Sequence, residues 1–270
     1  MSIALVNGLD KNKQLMRRRE KFVISSIVLS LALSALQYIN VDWRYFGIAA
    51  LTALTYFASA WALSEDLQPY EWVTILPQPA LYAAAVGLFY FLLPSSITSR
   101  LIVLAVFGIG MYGQYLTANI YSVAKGRTIQ LVYAAHAIGL FFTLLTSILL
   151  TNTIFSLNLA FYGTAILVAA AHYLLILTSL WSIKLETTIS KEVLILSGIV
   201  ASVLAEFAAI FSLLPLSIWY VSLFIMAILY VSLSILQSLL KGRLFQSTLQ
   251  EYTWLAVLLG ALIIGLFPWK

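Results

Sequence analysis

The 270-residue chain contains no cysteine. That absence excludes a disulfide framework, a thiolate nucleophile and any cysteine-ligated zinc or iron–sulfur centre. Charge is also scarce: Asp, Glu, Lys and Arg make up 9% of the residues, against about 25% in soluble domains. With 62% apolar residues, a soluble enzyme, a disordered chain and a collagen are excluded together. The three aspartates, Asp10, Asp42 and Asp66, lie outside every long apolar run, so an intramembrane aspartyl pair is ruled out. Nor is there a Walker motif, a His-Glu-x-x-His or a Gly-x-Ser-x-Gly, the patterns that announce phosphate, zinc or serine-nucleophile chemistry.

What is present is a series of apolar runs. About 20 such residues cross roughly 30 Å of hydrocarbon as a helix. Nine runs qualify: Phe22–Ile39, Tyr45–Leu63, Trp72–Leu93, Leu101–Val123, Ile129–Leu150, Ser156–Trp181, Val193–Leu213, Leu216–Leu240 and Tyr252–Pro268. They do not alternate as barrel strands do, and a continuous apolar run satisfies its own backbone in lipid only as a helix. The expected fold is therefore all-α, a polytopic transmembrane helical bundle of about nine spans. Residues 1–21 form a basic tail and 22–270 a single transmembrane domain, since no loop is long enough to hold a soluble module.

Punctuation supports the boundaries. Pro69 precedes span three, Pro94, Pro215 and Pro268 sit at or beside span ends, and Thr248-Leu-Gln-Glu251 reads as a capping box before span nine. Twelve Lys and Arg fall on the side of the amino terminus, from Lys11 in the tail to Arg243. Only Arg44, Arg100 and Lys270 fall opposite. By the positive-inside rule the amino terminus is expected to be cytoplasmic and the carboxyl terminus outside. The apolar run of span one exceeds that of a signal peptide, so it is expected to be retained. Its basic flank suits anionic lipid headgroups and says nothing of nucleic acid.

Ionisable groups inside spans are costly and therefore informative. Three lie deep: His136, His172 and Glu206. Counting from the amino-terminal side, His136 lies about 10 Å in, and His172 and Gln114 about 13 Å. These three form an expected polar layer, with Pro77-Gln78-Pro79 at similar depth and expected to kink span three. Glu206 lies about 20 Å in, with no Lys or Arg in any span interior to pair with it. As a neutral acid it would donate one hydrogen bond and serve as a proton carrier. Glu206, His172, His136 and Gln114 are thus the candidate ligand or proton path, and the alternative for each is helix–helix hydrogen bonding. No catalytic set, metal site or cofactor is expected, because two His and one Glu at unequal depths lack ligand spacing.

Small residues (Gly198, Ser202 and Ala205 on span seven; Gly108, Gly110 and Gly113 on span four) mark packing faces or an oligomer contact. Six tryptophans, Trp43, Trp72, Trp181, Trp219, Trp254 and Trp269, fall near span ends as an interfacial belt. The acidic cluster Glu65, Asp66 and Glu71 reads as a solvated face. Ala135-His136 and Ala171-His172 echo each other too briefly to make a repeat.

The stretches Tyr70-Glu-Trp-Val-Thr-Ile-Leu-Pro, Gly-Leu-Phe-Tyr-Phe-Leu-Leu-Pro94, Arg127-Thr-Ile-Gln-Leu and Lys241-Gly-Arg-Leu-Phe resemble a group of uncharacterised multi-pass membrane proteins of bacteria. The resemblance implies a bacterial plasma (inner) membrane and carries no mechanism or site residue. Two functions follow from the residues. The first is a non-catalytic scaffold or accessory component of an envelope assembly, with a membrane-protein partner or a second copy. The alternative is a small-solute or proton-linked permease using the Glu/His/Gln layer. A lipid-modifying enzyme with a histidine base ranks third.

Overall fold

A computed structural model describes residues 2–36, 38–93, 96–123 and 129–266, with side chains left out at 2–18, 41, 129 and 266. Pro94, Lys125, Arg127, Pro268, Trp269 and Lys270, and the side chains of Lys11, Lys13, Arg17 and Arg18, lie outside the described set. Ten helices and no strand occur among the described residues. They are α1 (Ser2–Leu36), α2 (Arg44–Ala62), α3 (Glu71–Thr74), α4 (Pro77–Tyr90), α5 (Ile97–Ser122), α6 (Ile129–Ser156), α7 (Phe161–Lys184), α8 (Lys191–Ser212), α9 (Ile218–Leu240) and α10 (Gln246–Leu266).

Each expected span coincides with a helix, except that span three is split between α3 and α4. Eight segments are long and apolar enough to cross a membrane. The helix α1 is not among them. Its periodicity is nonetheless that of a one-sided helix: Phe22, Ser25, Ser26, Leu29, Leu33 and Leu36 are buried, while Val23, Ile24, Ile27 and Val28 face out. The helix begins at Ser2 and passes residue 21 without a break, so the basic tail and the first span are one element.

The helices run up and down. Lys21 of α1 pairs with Glu65 after α2 at 2.8 Å, Ser122 at the end of α5 meets Glu71 of α3, and Arg243 after α9 donates to Tyr133 of α6. All these ends share one face, which also carries Lys184, Lys191 and Lys241. The opposite face holds Arg44, whose guanidinium lies 4.8 Å from the centroid of the Phe91 ring. Helix α4 is central and touches α2, α5, α6 and α7, and α6 in turn touches α9. The helix α10 packs chiefly against α9 and buries none of its span.

The surface is inverted relative to a soluble protein. Ile109, Ile166, Ile195 and Trp254 are more than half exposed, while Thr55, Thr146, Ser147, Thr151, His172 and Ser197 are almost wholly inside. Outward apolar faces on many helices at once need lipid, because water leaves only patches of a few hundred Å² exposed. The chain is a multi-pass membrane protein.

Two termini differ from expectation. Thr248 is not an N-cap, because α10 begins two residues earlier, at Gln246. Trp181 is buried (3% exposed) and donates from Nε1 to the Glu186 carbonyl, so it is not part of the belt that Trp43, Trp72, Trp219 and Trp254 supply. Helix α9 closes on Gly242 at φ +65°, with Gly242 N–H bonded to Leu239 O and Arg243 N–H to Ser238 O. That is the Schellman pattern, and it needs the left-handed conformation glycine adopts freely.

The glycines of α5 are packing surfaces, as their positions suggested. A Cβ on Gly110 would strike the Tyr82 hydroxyl, and one on Gly113 would lie 3.2 Å from the Phe142 ring. A Cβ on Gly198 of α8 would meet nothing within 4 Å. Gly110→Ala is expected to lower stability by about 1–3 kcal/mol through overpacking. Gly198→Ala stays within about 0.5 kcal/mol or gains slightly from helix propensity. Thermal unfolding of the two variants in one detergent checks the pair.

Candidate functional site

The third crossing is broken. Pro77 and Pro79 supply no amide donors, so the carbonyls of Val73 and Ile75 lose their partners four residues on. The chain turns at Ile75 and Leu76, whose amides both point to the Glu71 carbonyl at 2.9 and 3.3 Å. The expected kink lies at this two-residue turn, where α3 gives way to α4 while Ile75 and Leu76 keep right-handed helical torsions.

Three sets of polar residues converge there. The first is a pocket of about 320 Å³ at the lysine-rich face, lined by Gln68, Tyr70, Glu71, Tyr121, Ser122, Trp181, Leu185 and Thr187. Glu71 is 1% exposed, which overturns the solvated-face reading of this residue. Its Oε2 accepts from Ser122 Oγ at 2.8 Å and from the Gln68 amide at 3.0 Å. Glu65 of the same cluster is the surface residue expected, paired with Lys21. Leu185 holds a left-handed backbone at φ 49° and ψ 39° at the end of α7. A branched side chain pays about 1–2 kcal/mol for that conformation, and the turn it makes supplies one wall of the pocket.

The second set borders a cavity of about 10 Å³ beside the helix break, lined in part by Thr74, Gln78, Gln114, Thr117, Tyr121 and Thr178. A space of that size is near the minimum for one water molecule. Gln114 is 3% exposed and its Nε2 has no protein partner, whereas Gln78 donates to the Gly139 carbonyl at 3.1 Å. Tyr121 lines both spaces and donates to the Ala135 carbonyl at 2.9 Å.

The third set continues along α6. Thr143, Thr146, Ser147 and Thr151 are buried at helical spacings that keep them to one side, and Asn152, also buried, lies further round the last turns of the helix. Thr143 meets the Gln78 amide at 3.4 Å, and Ser147 meets His172 Nε2 at 2.8 Å. Thr146 Oγ1, Thr151 Oγ1 and Asn152 Nδ2 have no partner. From Gly139 to Asn152 this seam climbs about 20 Å at 1.5 Å per residue.

The four sequence candidates separate. Gln114 is in the second set. His136 lies beside it: its ring centroid is 5.7 Å from that of Tyr121 and its Nε2 donates to the Ser182 carbonyl at 2.8 Å, leaving Nδ1 unpartnered. His172 is fully enclosed, with Nδ1 donating to the Val168 carbonyl at 2.8 Å and Nε2 accepting from Ser147. A neutral ring satisfies both bonds, with Nδ1 as donor and Nε2 as acceptor. Glu206 joins none of them. It stands on the outer face of α8, on a stripe with Ile195, Ile199, Ser202 and Ile210. The structure brings Gln114 and His136 to the broken helix, sets His172 within the α6 seam and leaves Glu206 apart.

Sequence reasoning missed Glu71, Tyr121 and the α6 threonines. The threonine spacing was readable, but a hydroxyl bonds its own helix so readily that a Thr-rich span carries no signal by itself. Among the described residues no group of three or more His, Cys, Asp and Glu could hold a metal ion. Compared with known proteins, the chain matches no family model, and no curated protein or solved structure shows significant similarity to it.

Ser147→Ala is expected to cost about 0.6–2 kcal/mol, because the enclosed His172 nitrogen loses its only donor. Glu206→Gln, which touches no seam residue, should leave stability within about 0.5 kcal/mol. Parallel melting curves of both variants decide between a structural His172 and a replaceable one.

Proposed function

We propose that this protein is a small-solute permease of the bacterial plasma membrane, working through the broken helix α3/α4. The observation that carries the reading is the run of buried polar side chains from the pocket, past the helix break, along α6. Four of its members (Gln114, Thr146, Thr151 and Asn152) have hydrogen-bonding atoms without protein partners. A rigid scaffold gains nothing from unpaired polar groups, each costing about 1–3 kcal/mol. A path for a hydrated solute needs them. Interrupted membrane helices that free backbone carbonyls are also how many transporters build their sites at mid-depth.

In this reading the amino terminus and the pocket face the cytoplasm, in keeping with the twelve basic residues on that side. The anionic headgroups of that leaflet hold the basic start of α1. Solute enters at Glu71, Tyr70 and Trp181, passes the turn at Ile75 and Leu76, and exchanges its water for Gln114, Gln78 and the α6 hydroxyls. Tyr121, shared by both spaces, is the residue that must move. Neither histidine needs to titrate: each holds a helix carbonyl, and His172 also holds Ser147.

Stopped-flow light scattering of proteoliposomes tests the reading with a panel of small neutral, cationic and anionic solutes. Wild type should pass at least one solute faster than protein-free vesicles. Gln114→Leu and Asn152→Leu should slow that flux by about tenfold, the loss of about 1.4 kcal/mol of pairing, with insertion unchanged. If no solute in the panel passes faster than through protein-free vesicles, the protein is not a permease, and the scaffold reading takes its place.

A further inference from the structure

We propose that the pocket at α3, α5 and α7 selects a small organic cation of the ammonium class, with Glu71 as its counter-charge. The inference rests on the permease reading and names the substrate class of the same site.

Glu71 is almost wholly enclosed, yet the two groups that hold its Oε2, Ser122 Oγ and the Gln68 amide, are neutral. The salt bridges among the described residues are Lys21–Glu65 and Lys184–Glu192, and neither reaches it. An enclosed carboxylate is stable when a cation is its neighbour, and the space in front of it holds about 320 Å³.

The walls favour an organic cation over a metal ion. A hard divalent ion takes six or more oxygen ligands, and Glu71, the one carboxylate lining the pocket, does not provide them among aromatic rings. Tyr70 and Trp181 form a corner, with ring centroids 6.1 Å apart and planes at 51°, and Tyr121 adds a third aromatic residue. Aromatic faces attract alkylammonium groups more strongly once water is excluded. Burial first, and then the neighbouring Glu71 charge, raise the Tyr70 phenol above its usual range, so it stays a neutral wall. Gln68 and Thr187 at the rim are placed to take a hydroxyl or an N–H of the ligand. An anion would meet Glu71 directly and is excluded by repulsion.

Choline and its uncharged isostere 3,3-dimethylbutanol separate charge from shape. Binding to the full-length protein in nanodiscs is read by calorimetry, and flux by the same vesicle assay. Wild type should bind choline at least about tenfold more tightly than the isostere, and Glu71→Gln should erase that preference. Trp181→Phe should weaken choline by a smaller factor while leaving the order unchanged. Equal binding of the two probes by wild type overturns the inference without any variant, which covers the case in which Glu71→Gln fails to fold. If a neutral solute crosses while choline neither binds nor crosses, the ammonium class is wrong and the permease stands. If no solute crosses, both fall.

Discussion

Two prolines spaced two apart remove two amide donors from a helix that has no water to turn to, and the interior is organised around that loss. In hydrocarbon every freed carbonyl must be met by protein or by a trapped water. The third crossing meets the demand by ending α3 and starting α4, with Gln78 of the new helix reaching across to the Gly139 carbonyl of α6. Because α4 is the central helix, the disruption opens onto α5, α6 and α7 together. Gln114, Tyr121, Thr143 and Thr178 are the side chains those neighbours offer.

The packing around the break explains why it can persist. Tyr82, one turn into α4, is fully enclosed. It stacks on Phe107 at 5.8 Å, meets Phe142 edge-on at 5.5 Å and donates to the Val106 carbonyl. Gly110 and Gly113 make room for these rings, so the small residues of α5 serve the helix that is broken. At the other end Glu71 ties α3 to α5 through Ser122. The short α3 is thus held by its polar end and α4 by its aromatic side, and the two need not be coaxial.

Much of this was legible in the sequence, and the failures have physical causes. Run length and continuity located the eight helices long and apolar enough to cross a membrane, and Pro77-Gln78-Pro79 marked the break. Faces were harder. Glu206 drew attention as the one acid deep in a span, but its side was not readable from α8, where Ile195, Ile199 and Ile210 facing out look like Val193, Val200 and Leu204 facing in. In lipid both sides of a helix are apolar, so amphipathic period loses its meaning. Glu71 was misjudged for the opposite reason. Beside Glu65 and Asp66 it looked like surface, and it is the packing of α3 against α7, with the Ser122 bond from α5, that encloses it. Trp181 likewise sat where a belt residue belongs and is instead packed against Tyr70.

The central claim is that the polar interior beside the helix break is reached by water from the lysine-rich face. A chain without cysteine allows a direct reading with single substitutions and a small membrane-impermeant thiol reagent added from that face. Thr187→Cys in the pocket and Thr178→Cys at the inner cavity are compared with Ala208→Cys, a wholly enclosed apolar position. The account predicts rapid labelling at 187, slower but clear labelling at 178, and none at 208. Labelling at 178 no faster than at 208 would contradict it, making the break a dry packing defect with no path behind the pocket.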